Sequence, residues 1–286
     1  MATSIVEEMV ELLSEPLQHP ISELPLLKQS LLFAEIAKLS YYRPDIVQEA
    51  VSKVGFEHCE YFDRDGAQAY ILSTQHDCVV VCRGTEPNEW NDIKADANAV
   101  SVVAETAGKV HRGFKKEVDD LWPRLERALK DNDKPLWFAG HSLGGAMATI
   151  CAGRCKLAEI ASNPEALFTY GSPRVGNGRY INFVKISHYR WVNNNDIVCR
   201  VPPPWMGYKH CGRELYFNAF GRLRKYTSWR RFRDRWYGFF LSLKNWEIDH
   251  LSDHSMDRYI EYINRAIEDE AAGKIPKLQK TDPAKL

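Results

Sequence analysis

The sequence predicts an α/β fold with a central, mostly parallel sheet flanked by helices, and three observations carry that reading. Short apolar runs alternate with helical patterns after residue 113, the 286 residues suffice to bury a large core, and no Pro/Gly/Ser-rich linker divides them. Residues 1–286 therefore read as a single domain. Lys plus Arg balance Asp plus Glu at 38 each, so the basic excess that a nucleic-acid partner requires is missing.

Residues 1–55 read as a helical N-terminal layer. The opening MATSIVEEMVELLSEP has the pattern of an amphipathic helix, without the basic and then apolar regions of a secretion signal. Residues 27–40 carry apolar side chains at helical spacing, and a second helix runs from Pro44 to about Lys53. With no signal and no run of 18 apolar residues, the expected location is cytoplasmic, with no membrane span. The seven cysteines, an odd number placed mostly inside strands or helices, are expected as buried free thiols. Ala67 to Ser73 and Cys78 to Arg83 form a hairpin about Thr74-Gln75-His76-Asp77. The alternation follows: helix 113–130, strand 136–139, helix 143–161, strand 166–170, helix 177–184 and strand 188–192. Parallel strands joined by right-handed crossovers satisfy that order, and reactive groups in such sheets gather beyond the strands' carboxyl ends. Residues 274–286 read as a frayed tail.

The segment LWFAGHSLGGAMATICAGRC sets Gly140-His141-Ser142-Leu143-Gly144 between an apolar strand and an Ala-rich helix. This is the context of a nucleophile elbow in the α/β-hydrolase fold, where a serine on a sharp, strained turn needs very small neighbours two residues to either side. A helix-capping serine after a glycine turn is the plain structural alternative. A serine hydroxyl is a weak nucleophile until an imidazole takes its proton and a carboxylate orients that imidazole; in this fold the chain order is Ser, acid, His. Asp196 follows the strand HYRWV and fits the acid, or else an Asx turn ending that strand. His250 and His254 are the late imidazoles, and their spacing of four also fits a metal pair, although the HExxH glutamate is missing. No cofactor or metal is called for.

Five motifs in order resemble the class 3 lipase family, the fungal-type triacylglycerol lipases and their relatives, over residues 67–260. They are Arg83-Gly84-Thr85, Val110-His111-Arg112-Gly113-Phe114, Gly140 to Ala146, Tyr170-Gly171-Ser172-Pro173-Arg174-Val175-Gly176-Asn177, and Val192-Asn193-Asn194-Asn195-Asp196-Ile197-Val198. The resemblance implies a lipase or esterase acting through an acyl-serine, with Ser142, Asp196 and His254 as triad. His254 is preferred because Met256 and Tyr259 follow it as the family pattern asks, and His250 is the alternative. The oxyanion would be held by the backbone of Leu143 and, by resemblance, by Thr85. The family carries a lid where residues 86–110 stand here; an ordinary surface helix and loop is the alternative. Residues 219–248 form a basic, aromatic insertion, with eight basic residues and one acidic between Arg222 and Lys244. That pattern suits a lipid surface, or an amphipathic helix packed on its own domain. Two further expectations stand beside the lipase: a phospholipase A or galactolipase with the same triad, and a catalytically silent hydrolase-like binding protein.

Overall fold

The computed structural model describes residues 16–84, 100–158, 160, 163–194, 196–224 and 254–281. Six helices are described: α1 (Leu26–Leu39), α2 (Pro44–Lys53), α3 (Arg112–Leu129), α4 (Leu143–Arg154), α5 (Gly178–Val184) and α6 (Met256–Ala271). The main-sheet strands are β1 (His58–Arg64), β2 (Ala67–Ser73), β3 (Cys78–Cys82), β6 (Leu136–His141), β7 (Pro164–Tyr170), β9 (Ser187–Asn193), β11 (Arg213–Phe217) and β12 (Leu223–Arg224). A smaller sheet is made of β4 (Ser101–Val103), β5 (Lys109–His111), β8 (Gly176–Asn177) and β10 (Tyr208–Lys209).

The eight-stranded sheet has the order β1-β2-β3-β6-β7-β9-β11-β12. Its five central strands, β3 to β11, run parallel, and the hairpins β1-β2-β3 and β11-β12 add antiparallel edges. CVVVC in β3 and LWFAGH in β6 are buried at every position, as strands covered on both faces must be. Side chains alternate between two apolar layers: Val79, Val81 and Trp137 join α1, α2 and α6, while Val80, Phe138 and Leu167 join α3, α4 and α5.

Helix α1 lies against β6, β7 and α6 with twelve of its fourteen side chains buried, and α1 and α2 are the α-helices described in the N-terminal segment, whose residues 1–15 lie outside the described residues. Three features depart from the expectation. The helix after Ser142 ends at Arg154 rather than near 161, where Cys155 to Leu157 turn away. Residues 100–110 of the expected lid build the antiparallel β4–β5 hairpin; residues 86–99 lie outside the described residues. Residues 274–281, read as the start of a frayed tail, are tied down: the Thr281 amide donates to the Tyr189 hydroxyl at 2.7 Å, and Ile275 and Leu278 pack on the core. Most of the basic, aromatic insertion, residues 225–248, is outside the described residues, as is His250. All seven cysteines are free thiols.

Candidate active site

Register brings the carboxyl ends of the central strands level. Cys82 pairs with Gly140, His141 with Tyr170, and Tyr170 with Trp191, so Ser142 leaves β6 beside the ends of β3, β7 and β9. The turn at Ser142 is sharp, with φ 59° and ψ −131°, a conformation that costs a non-glycine residue on the order of 1–3 kcal/mol. Three glycines make it feasible. A Cβ on Gly140 would strike the Gly144 carbonyl, one on Gly144 would strike the Cys82 carbonyl, and one on Gly145 would lie 2.8 Å from Ser172 Cβ. The turn is tied to the sheet by the Ser142 amide, which donates to the Tyr170 carbonyl at 2.9 Å. Ser142 is fully buried, and its Oγ has no hydrogen-bond partner among the described residues.

Asp196 stands in the loop after β9, and its two oxygens do different work. Oδ1 accepts from the Val198 amide at 2.9 Å, the Asx turn anticipated from the asparagine-rich loop. Oδ2 takes two donors, His254 Nδ1 at 2.9 Å and the Tyr259 hydroxyl at 2.7 Å. Asp196 and His254 are 1% and 3% exposed, so their pairing is shielded from water, and it commits Nδ1 of His254 to the carboxylate. Burial and then the Asp196 charge push the Tyr259 phenol well above its ordinary pKa, so it remains a donor. Tyr259 also accepts from the Asn193 amide at 3.0 Å, which joins the first turn of α6 to the end of β9.

Two neighbours connect this pair to the elbow. Gly171, at φ 61°, follows the Tyr170 carbonyl that receives the Ser142 amide; a Cβ there would stand 2.7 Å from both Asp196 Oδ2 and His254 Nδ1. His141, adjacent to Ser142, packs its ring on that of His254 in a tilted arrangement, with centroids 4.4 Å apart. Ser142, Asp196 and His254, the first and last of which lie 112 positions apart in sequence, are thereby gathered at one edge of the sheet.

Leu143 opens α4, so its amide belongs to the unsatisfied N-terminal turn, where a developing anion is favoured. Thr85 lies outside the described residues. Its neighbour Gly84 is described: a Cβ there would be 2.6 Å from the His141 carbonyl and 3.2 Å from Ser142 Cβ, so the chain passes the elbow one residue before Thr85. His111 packs on Phe114 at 4.2 Å between centroids.

Sequence reasoning missed three contributors: Tyr41, the ring of His141, and the Tyr259 hydroxyl. His141 and Tyr259 sat inside recognised motifs as spacing residues, with nothing to mark their hydrogen bonds. Tyr41 had no local signal, being 100 residues from its partner His141.

Residues 79–206 match the family described as Lipase (class 3). The chain is 35% identical over 196 residues to secreted mono- and diacylglycerol lipase 1 of Fusarium solani, covering 64% of this chain and 56% of that protein. It is 35% identical over 127 residues to a lipase of Rhizomucor miehei, covering 41% of this chain and 35% of that one. Among solved structures, lipase II from Rhizopus niveus superposes with a TM-score of 0.56 at 27% identity, over 66% of this chain and 80% of that one. The chain spans about a third to just over half of the length of these curated relatives.

Proposed function

We propose, from the match of residues 79–206 to the class 3 lipase family, that this chain is a serine carboxylester hydrolase that cleaves acylglycerols or similar lipid esters. The observation that carries the reading is a strained, buried serine next in sequence to a histidine whose ring lies 4.4 Å from an imidazole paired to a buried carboxylate. Ser142 Oγ attacks the ester carbonyl carbon while Nε2 of His254 takes its proton. Asp196 fixes the tautomer of His254 through Nδ1 and offsets the positive charge that the ring acquires. The tetrahedral oxyanion takes the Leu143 amide and a donor from Thr85, each worth about 3 kcal/mol to the barrier. His254 then returns the proton to the leaving alcohol, giving an acyl-serine that water cleaves by the same relay.

Hydrolysis of a short nitrophenyl ester by the purified protein, lost in Ser142→Ala, tests the reading; retained hydrolysis in that variant refutes it. A second reading, phospholipase A or galactolipase with the same triad, is favoured in its phospholipase form by the net charge of +7, eight basic minus one acidic, between Arg222 and Lys244. Each cation near an anionic lipid surface contributes about 1 kcal/mol. Acylglycerol, phospholipid and galactolipid offered side by side separate the two readings.

A further inference from the structure

Tyr41 and His141 stand outside the relay just described, yet both are built against it. The Tyr41 hydroxyl lies 2.8 Å from His141 Nδ1, and His141 Nε2 lies 2.7 Å from the backbone carbonyl oxygen of His254. A carbonyl oxygen only accepts, so Nε2 carries the hydrogen and donates. His141 is 8% exposed, and burial, then the nearby His254, hold its pKa well below the ordinary imidazole range. The ring is neutral, which makes Nδ1 an acceptor and the Tyr41 hydroxyl its donor. Hydrogen-bond direction is thus fixed along the whole chain, from Tyr41 through His141 to the main chain of His254.

The geometry around each member reinforces that direction. His254 precedes Ser255, the N-cap of α6, and the helix ladder begins with the Tyr259 amide on the Ser255 carbonyl, so the His254 carbonyl remains available to His141. The rings facing His141 are those of His254, Tyr41 and Tyr259, at 4.4, 5.8 and 6.4 Å between centroids. Asp196 joins this group through His254 and Tyr259, both of which donate to its Oδ2. Tyr41 is itself gripped: the Arg83 guanidinium lies 5.6 Å over its ring, and its hydroxyl fills the space that a Cβ on Gly84 would need.

We propose that Tyr41 and His141 are positioning residues: together they clamp the main chain of His254 while Asp196 clamps its ring, and they keep a neutral imidazole packed beside the one that becomes charged in turnover. The proposal rests on the reading of His254 as general base. Side-chain anchoring alone leaves the backbone of His254 free to shift, and a misplacement of about 1 Å in such a relay costs on the order of 100-fold in rate.

Nitrogen-15 NMR of histidine-labelled protein reads the hydrogen-bond direction without reference to activity. One imidazole, absent from the His141→Gln spectrum, should show protonated Nε2, unprotonated Nδ1 and no titration between about pH 8 and 5, across the range where an ordinary histidine charges. A proton on Nδ1 of that ring, or titration above about pH 6, would overturn the proposal. Kinetics on a soluble nitrophenyl ester supply the second arm. Tyr41→Phe, which retains the aromatic ring, should lower kcat about 10-fold with KM unchanged, and His141→Leu about 100-fold. His141→Gln should recover most of that loss, because its amide both donates to the His254 carbonyl and accepts from Tyr41. Equal losses in the Gln and Leu variants, or a change confined to KM, would contradict it. Wild-type protein with no esterase activity would refute the general-base reading instead, and the NMR arm would still decide the direction of the chain.

Discussion

On the nucleophile side of the site, Gly140, Gly144 and Gly145 let a strand, a strained turn and a helix close around Ser142, whereas on the other side three donors converge on the carboxylate of Asp196. The first arrangement is steric and made of backbone; the second is polar and made largely of side chains. Steric closure responds to added atoms, polar convergence to deleted ones, so the two halves should fail under different substitutions and in different observables.

The largest effect is expected at the junction of the halves. Ser142→Ala should lower kcat roughly a million-fold with the melting temperature nearly unchanged, measured by ester hydrolysis and calorimetry. Asp196→Asn removes the acceptor that fixes the His254 tautomer and should lower kcat on the order of 10,000-fold. A much smaller loss would show that the polar half is not organised by that carboxylate. Tyr259→Phe deletes one of the three donors; a hydrogen bond to a charged group is worth about 1.5–3 kcal/mol, and the expected result is a roughly 10-fold lower kcat with unchanged KM. Gly144→Ala sharpens the contrast from the other side. Alanine favours a helix over glycine by about 1 kcal/mol, but a Cβ here meets the Cys82 carbonyl, and overpacking of about 1–3 kcal/mol should prevail in denaturant unfolding.

The smallest effect concerns a buried histidine away from the site, His188. His188 lies between the Thr169 hydroxyl at 2.8 Å and the Cys211 thiol at 3.1 Å, with no carboxylate among those two partners. Burial and then Arg190 lower its pKa from 6.5 to about 3. The unfolded chain therefore binds a proton at this position over a window in which the folded protein does not, so stability falls as pH drops from 6.5 towards 3. His188→Gln should flatten part of that acid dependence of the melting temperature and leave ester hydrolysis near neutral pH unaltered. A steeper acid dependence in the variant would contradict the assignment.

Local pattern carried much of this architecture. The alternation after residue 113 marked the parallel strands because a buried run such as LWFAGH has no polar face to conceal it. The elbow was legible because its glycines are demanded within four residues of chain. The small sheet was not, since β8 and β10 are two residues long and β4 and β5 three, too short for any periodicity to register. The clamp on His254 was equally hidden: its hydrogen bonds link residues 58, 100 and 113 positions apart, and only the folded sheet puts a tyrosine after α1 beside the end of β6. For Asp196, the sequence offered an orienting acid or an Asx-turn residue as rivals, and the structure gives each oxygen one of those environments.

Labelling with a fluorophosphonate, followed by peptide mass spectrometry, tests most directly whether these two halves make one site. A single adduct on Ser142 is expected, forming on the order of 10,000-fold more slowly in Asp196→Asn. An adduct on a different serine, or a labelling rate at Ser142 indifferent to residue 196, would contradict it.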